Sequence, residues 1–119
     1  MAPSSTRSAR AVWLAGPRQV ELREEAVPPP GPGQVLIEAV ASAISHGTEL
    51  LVYRGQVDPA LPLDLPTLAG SFAFPIKYGY ASVGRALAAG PGVEHVAPGA
   101  LVFALHPHQS LYLAPAHLV

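Results

Sequence analysis

The feature that most constrains this chain is its punctuation. Fourteen prolines and 11 glycines are scattered through 119 residues. Proline removes a backbone donor and clashes with the preceding helical turn, and glycine adds backbone entropy, so long helices cannot form across such spacing. Between the breaks lie short β-branched and apolar runs, the pattern of an all-β domain. The spacing predicts strands over Ala11 to Ala15 and Gln19 to Glu24, folded into a hairpin at Gly16-Pro17. In the second run Val20 and Leu22 alternate with Glu21 and Arg23, which predicts that the apolar pair faces inward. Val27-Pro28-Pro29-Pro30-Gly31-Pro32-Gly33 reads as a stiff extended connector within the domain. Gln34 to Ile44, with Val35, Leu36, Ile37 and Val40, reads as a central strand, because its apolar run is nearly continuous.

Beyond that strand, Ser45-His46-Gly47-Thr48-Glu49 breaks the pattern. Glu49 to Tyr53 fits one or two helical turns, with Thr48 near the N-cap and Gly55 as the stop. Gln56 to Pro75 contains Pro59, Pro62, Pro66 and Gly70 and reads as a long irregular loop, a length usually tied to function or mobility. Tyr78 to Ala89 reads as a strand in which Gly79 and Gly84 mark bulges or close approaches. Turns follow at Gly90-Pro91-Gly92 and Pro98-Gly99. Leu101 to Leu105 and Ser110 to Leu113 are two further strands around His106-Pro107-His108. Residues 1–8 read as a disordered tail and 9–119 as one domain. Many short strands with little helix imply a barrel or sandwich.

Composition narrows the function classes. Seven basic and eight acidic residues give a net charge of -1. Without a Lys/Arg block, nucleic acid and anionic membrane surfaces are poor partners. There is no cysteine, which excludes a disulfide framework, a thiol nucleophile and a thiolate zinc site. A cysteine-free chain suits a reducing cytoplasm, the expected location. The first ten residues lack the apolar run of a signal peptide. No apolar stretch approaches the ~20 residues of a membrane span.

Five local patterns, in order, resemble the GroES-like domain of the medium-chain dehydrogenase/reductase superfamily, the alcohol dehydrogenase-like proteins. Glu24-Glu25-Ala26-Val27-Pro28 and Pro30-Gly31-Pro32-Gly33-Gln34-Val35-Leu36-Ile37 are similar to the family's P-x-P-G-P-x-E-V-L-V approach to the central strand. Gly47-Thr48-Glu49-Leu50 with Tyr53-Arg54-Gly55 resembles C-G-T-D-L-H-x-Y-x-G. Pro75 to Gly84 stands where the family has P-x-x-x-G-H-E-x-x-G. Gly90-Pro91-Gly92-Val93 and Gly99-Ala100-Leu101-Val102 resemble G-x-x-V and G-D-R-V. Leu111 to Pro115 resembles the strand that closes the domain. The resemblance implies an all-β, GroES-like, partly open β-barrel with one short helix.

The departures matter equally. Zinc-dependent members have Cys where His46 stands, and His-Glu where Tyr80 and Ala81 stand. A phenol with an ordinary pKa near 10 is a poor zinc ligand at neutral pH, and alanine offers none. The four-cysteine structural lobe is missing too. No zinc is therefore expected. The chain also ends where a Rossmann domain is expected, with no G-x-G-x-x-G after a strand. That partner would have to come in cis or in trans, bringing NAD(P) with it, and the isolated chain is expected to be inactive.

The resemblance gives several residues two readings each. His46 is a donor to substrate or cofactor, or a loop histidine bonded to backbone. Thr48 is a hydroxyl relay near the nicotinamide, or a helix N-cap. Tyr80 is a donor to a carbonyl oxygen where charge develops, or an aromatic filling the space of the lost metal. Catalysis is thus assigned to Thr48, Tyr80 and His46, and cofactor contact to His46, Gly47 and Thr48. Glu49 corresponds to an acidic residue that supports structure. His106 and His108 have the spacing of one strand face and could take a metal with His46 or His95, or simply occupy a loop around Pro107. Arg54 and Lys77 attract phosphates or are solvated.

Two functions remain open. One is the substrate-side domain of a zinc-independent nicotinamide oxidoreductase for a small-molecule substrate of quinone, enoyl or macrocycle type. The other is a non-catalytic GroES-like binding or interaction module. The retained segment Ser45 to Gly55, which a plain barrel has no need for, favours the first.

Overall fold

The computed structural model of the chain describes residues 6–63 and 70–119. Residues 1–5 of the expected tail and 64–69 of the expected loop, with Pro66, lie outside the described residues. Among the described residues, six strands and one α-helix follow one another: β1 (Arg7–Gly16), β2 (Gln19–Val27), β3 (Gln34–Ser42), α1 (Thr48–Tyr53), β4 (Ser82–Ala89), β5 (Leu101–Ala104) and β6 (Leu111–Pro115), with a 3-10 turn at Ala116–Leu118. Strands β1 and β2 form an antiparallel hairpin, and the others form a sheet in the order β5-β4-β3-β6. Neither sheet closes on itself. Backbone bonds from Val12 to His108 (2.9 Å) and between Leu14 and Ile76 (2.8 and 2.9 Å) lash the hairpin to the loops of the larger sheet. The all-β, partly open architecture with one short helix is the expected one. Among the described residues no helix is long and apolar enough to cross a membrane.

Strand β3 is central because its side chains are apolar on both faces. Val35 and Ile37 pack with Ala86, Ala104 and Tyr112 on one side, and Leu36 packs with Ala9, Val27 and Leu111 on the other. A third cluster, Leu14, Val52, Leu63 and Ile76, joins the hairpin to α1. Gly84 is a close-approach point, as expected. A Cβ there would lie 2.5 Å from the Glu38 carbonyl oxygen and 2.6 Å from Ile37 Cγ2, beside the register shift between Ala39 and Ala41.

Several boundaries differ from expectation. Arg7 and Ser8, assigned to the tail, belong to β1, because they pair with Val27 and Ala26 before the proline connector begins. Strand β4 starts at Ser82 rather than Tyr78, since Gly79 is packed against Pro107 and His108 and not a neighbouring strand. The N-cap of α1 is Gly47, with no side-chain cap, so the Thr48 hydroxyl does not serve as one. Gly55 stops the helix as expected, at φ 73°, with Gly55 N–H bonded to Val52 O and Gln56 N–H to Leu51 O, the Schellman pattern.

The alternation in β2 runs opposite to expectation. Val20 and Leu22 are 57% and 66% exposed. The covered face carries Arg23 and Glu25 instead. Trp13 decides this: its indole N–H donates to Glu25 Oε2 at 2.6 Å, and the Arg23 guanidinium lies 4.6 Å from its ring centroid. Lys77 completes the cluster, with Nζ donating to Glu25 Oε1 at 2.7 Å and to Gln109 at 2.9 Å.

Candidate functional site

The inverted hairpin leaves an apolar face beside α1, and a pocket of about 270 Å³ opens there. Its wall is Val12, Leu14 and Val20 from the hairpin, Ile44 after β3, and Leu50 and Tyr53 from α1. Three polar side chains interrupt that wall: Glu49, Tyr78 and His108. An apolar cleft with a few convergent polar groups is the usual form of a small-molecule site.

Each polar group is held from behind. Glu49 is buried in the first turn of α1. Its Oε2 accepts the Ser45 backbone N–H at 2.6 Å, and its Oε1 lies 2.5 Å from His108 Nε2. The other ring nitrogen of His108, Nδ1, lies 2.6 Å from Ser42 Oγ. Gly79 makes room for this ring, since a Cβ at that position would sit 2.9 Å from Nε2. Tyr78 packs against Phe72 at 5.5 Å and edge-on to Tyr80 at 6.2 Å. Burial, then Tyr80 and Glu49, push its phenol above the ordinary value of 10. At neutral pH Tyr78 is therefore a protonated donor beside a carboxyl group.

Of the residues singled out from sequence, Glu49 and His108 line this pocket, and His46, Gly47, Thr48 and Tyr80 are not among its lining. His46 and Thr48 are exposed in the loop and at the helix start. Tyr80 is half-buried behind Tyr78. The two segments do approach each other: the Ala43 N–H bonds to the Ala81 carbonyl at 3.0 Å. His106 and His108 do not share a strand face, because the chain between β5 and β6 is irregular around Pro107. His106 turns into the core and stacks on Tyr112 at 3.8 Å, while His108 turns to the pocket. His95 is occupied by the Ala116 carbonyl at 2.9 Å. Lys77 is engaged by Glu25 and Gln109, and Arg54 is exposed.

Among the described residues no three His, Asp or Glu side chains converge where a metal ion could be held. At the positions compared with zinc ligands, the His46 imidazole is exposed, the Tyr80 phenol ring packs on Tyr78 and Ala81 has no donor atom. Sequence reasoning missed Tyr78, the pocket role of Glu49 and His108, and the bond from Ser42 to His108. The one signal for them was Gly79, whose missing side chain marks a close approach.

No family model matches the chain. It is 36% identical over 93 residues to 2-desacetyl-2-hydroxyethyl bacteriochlorophyllide A dehydrogenase of Cereibacter sphaeroides, covering 78% of this chain and 26% of that protein. It is 33% identical over 96 residues to the zinc-type alcohol dehydrogenase-like protein YphC of Escherichia coli K12, itself uncharacterized, covering 81% of this chain and 26% of the relative. The chain thus spans about a quarter of the length of these relatives. Among solved structures, the human synaptic vesicle membrane protein VAT-1 homolog-like protein superposes with a TM-score of 0.72 at 23% identity, over 94% of this chain and 34% of that one. The quinone oxidoreductase of Coxiella burnetii gives 0.66 at 19% identity, over 92% and 35%. A zinc-binding-dehydrogenase-type protein of Sinorhizobium meliloti 1021, bound to NADP, gives 0.67 at 19%, over 94% and 37%.

Proposed function

We propose that this chain, a GroES-like domain of the medium-chain dehydrogenase/reductase superfamily, is the substrate-side half of a zinc-independent nicotinamide oxidoreductase. The observation that carries the reading is the pocket: an apolar wall interrupted by Glu49, Tyr78 and His108, in a chain 36% identical over 93 residues to a dehydrogenase. Bound in a second, nucleotide-binding domain, the nicotinamide would supply or take the hydride. This chain would supply the substrate wall and the polar groups where charge develops. His46, Gly47 and Thr48, exposed in the loop and at the helix start just before Glu49, are the proposed cofactor contacts. Tyr78 is the first candidate donor, and Tyr80, which supports it, the second.

The substrate proposed is a conjugated, largely apolar molecule, a quinone, an enone or a macrocycle carrying an oxidisable side chain, as in the bacteriochlorophyllide relative's name. Val20 and Ile44 support this, because they line the pocket and are exposed, and such an open apolar side suits a broad apolar face. The cytoplasm is the setting proposed, with neither nucleic acid nor membrane as partner.

A domain exchange tests the reading. The matching quarter of the Cereibacter sphaeroides dehydrogenase is replaced by this chain, and nicotinamide oxidation is followed with quinone, enone and macrocycle substrates. The expected result is hydride transfer by the chimera and none by the 119-residue chain alone. A correctly folded chimera that binds NAD(P)H but turns over none of these substrates would contradict the proposal.

A further inference from the structure

We infer that Ser42, His108 and Glu49 form a proton path from solvent to the pocket, and that it carries the proton accompanying each hydride transferred there. The inference rests on the oxidoreductase reading and deepens it. The three groups come from three separate elements: Ser42 ends β3, Glu49 lies in α1 and His108 lies between β5 and β6. Ser42 Oγ is 2.6 Å from His108 Nδ1, and His108 Nε2 is 2.5 Å from Glu49 Oε1. Both ring nitrogens are committed, one on each side. Exposure falls along the path: Ser42 is exposed, and Glu49, at the pocket wall, is 7% exposed.

A mere brace between α1 and the β5–β6 connection would need only the His108–Glu49 contact. The second bond, to an exposed hydroxyl, turns the ring into a link between two environments. Imidazole suits that task because it can receive a proton at one nitrogen and release one from the other. Glu49 cannot swing away, since its second oxygen holds the Ser45 N–H. Against the ring lie Glu49 from α1, Ser42 from β3 and the Gly79 backbone, and Tyr78 lines the same pocket.

The step balances as follows. In reduction of a carbonyl, the carbon receives a hydride, with its two electrons, from the reduced nicotinamide, and the C=O π bond breaks. His108 Nε2 passes its proton to Glu49 Oε1 as Glu49 passes one to the oxygen, so that Glu49 is unchanged overall. His108 takes a proton at Nδ1 from Ser42, and Ser42 takes one from water, which leaves as hydroxide. Oxidation of an alcohol runs each transfer backwards.

The test has two arms. In the 119-residue chain, 15N spectra of the His108 ring should show both nitrogens hydrogen-bonded, with the Nδ1 signal shifting in Ser42→Ala and the Nε2 signal in Glu49→Gln. A free lone pair at either nitrogen overturns the path. In the two-domain protein, His108→Ala should lower turnover by roughly 10²- to 10⁴-fold with a smaller change in KM. Added imidazoles should restore it, with rescue rates that follow the basicity of the rescuing base. Rescue that follows only the size of the imidazole, or loss confined to KM, makes His108 a brace and overturns the path. A wild-type two-domain protein that transfers no hydride removes the oxidoreductase reading and the path with it. An active wild type with a fully active His108→Ala removes the path alone.

Discussion

At the scale of single residues, the pocket assigns different work to neighbours in sequence. Tyr78 reaches the pocket and Tyr80 supports it. If Tyr78 donates to a developing oxyanion, Tyr78→Phe should lower turnover of the two-domain protein about 100-fold, the effect of losing one such donor at roughly 3 kcal/mol, with little change in substrate binding. Steady-state kinetics of Tyr78→Phe, Tyr80→Phe and Thr48→Ala side by side checks this. A larger loss in Tyr80→Phe than in Tyr78→Phe would move the donor role to Tyr80. His106 makes a different prediction, on stability. Burial against Tyr112 is the main reason its ring takes a proton only at about pH 4 rather than 6.5. The unfolded chain binds that proton more readily than the fold does. Stability from this site is therefore complete above pH 6.5 and is lost as the pH falls towards 4, by about 3 kcal/mol. Urea unfolding at pH 7 and pH 4.5 should show a larger drop for the wild type than for His106→Phe, which has no proton to take up. Equal drops would mean that the folded and unfolded chains take up the His106 proton alike, and that burial does not disfavour it.

At the scale of elements, the backbone contact between β3 and β4 at Gly84 is a tight constraint on the central sheet. A side chain at Gly84 would have to displace the Glu38 carbonyl and Ile37, neither of which is the end of a flexible side chain. Gly84→Ala should therefore destabilise the domain by roughly 1–3 kcal/mol, as overpacking does, measured by thermal or urea unfolding. An unchanged midpoint would show that the two strands separate there without cost. This position was legible in the sequence, because a lone glycine inside a strand pattern signals a close approach. Strand β2 was not. Its alternation announces two faces but not which is covered, and a tryptophan from β1 recruited the charged one.

At the scale of the whole molecule, two sheets that do not close leave an apolar face on one side of the hairpin. Val20, Leu22 and Ile44 lie exposed there, at 57%, 66% and 68%. A second domain seated across the pocket would cover such a face. The pyrophosphate-binding glycine turn and helix N-terminus of dinucleotide domains are not encoded in these 119 residues. Calorimetric titration of the isolated chain with NADPH or NADH should therefore give no micromolar binding. A micromolar dissociation constant for this chain alone would contradict the division of labour proposed here.

What the sequence determined by itself is what depends on local chemistry. Proline and glycine spacing excluded long helices, the continuous run of Val35, Leu36 and Ile37 placed a central strand, and Gly55 ended the helix. The ordered motifs around these elements named the fold. Tertiary structure alone decided the site. Ser42, Glu49, Tyr78 and His108 are separated by up to 66 positions, and no local rule says which of them meet. Nor does spacing tell a core histidine from a pocket histidine. His106 and His108 flank one proline, and only packing sent the first against Tyr112 and the second to Glu49. The physical reason is that periodicity and turn chemistry act over a few residues. The meeting of side chains across a sheet is set by which faces bury the most apolar surface and leave no polar group without a partner.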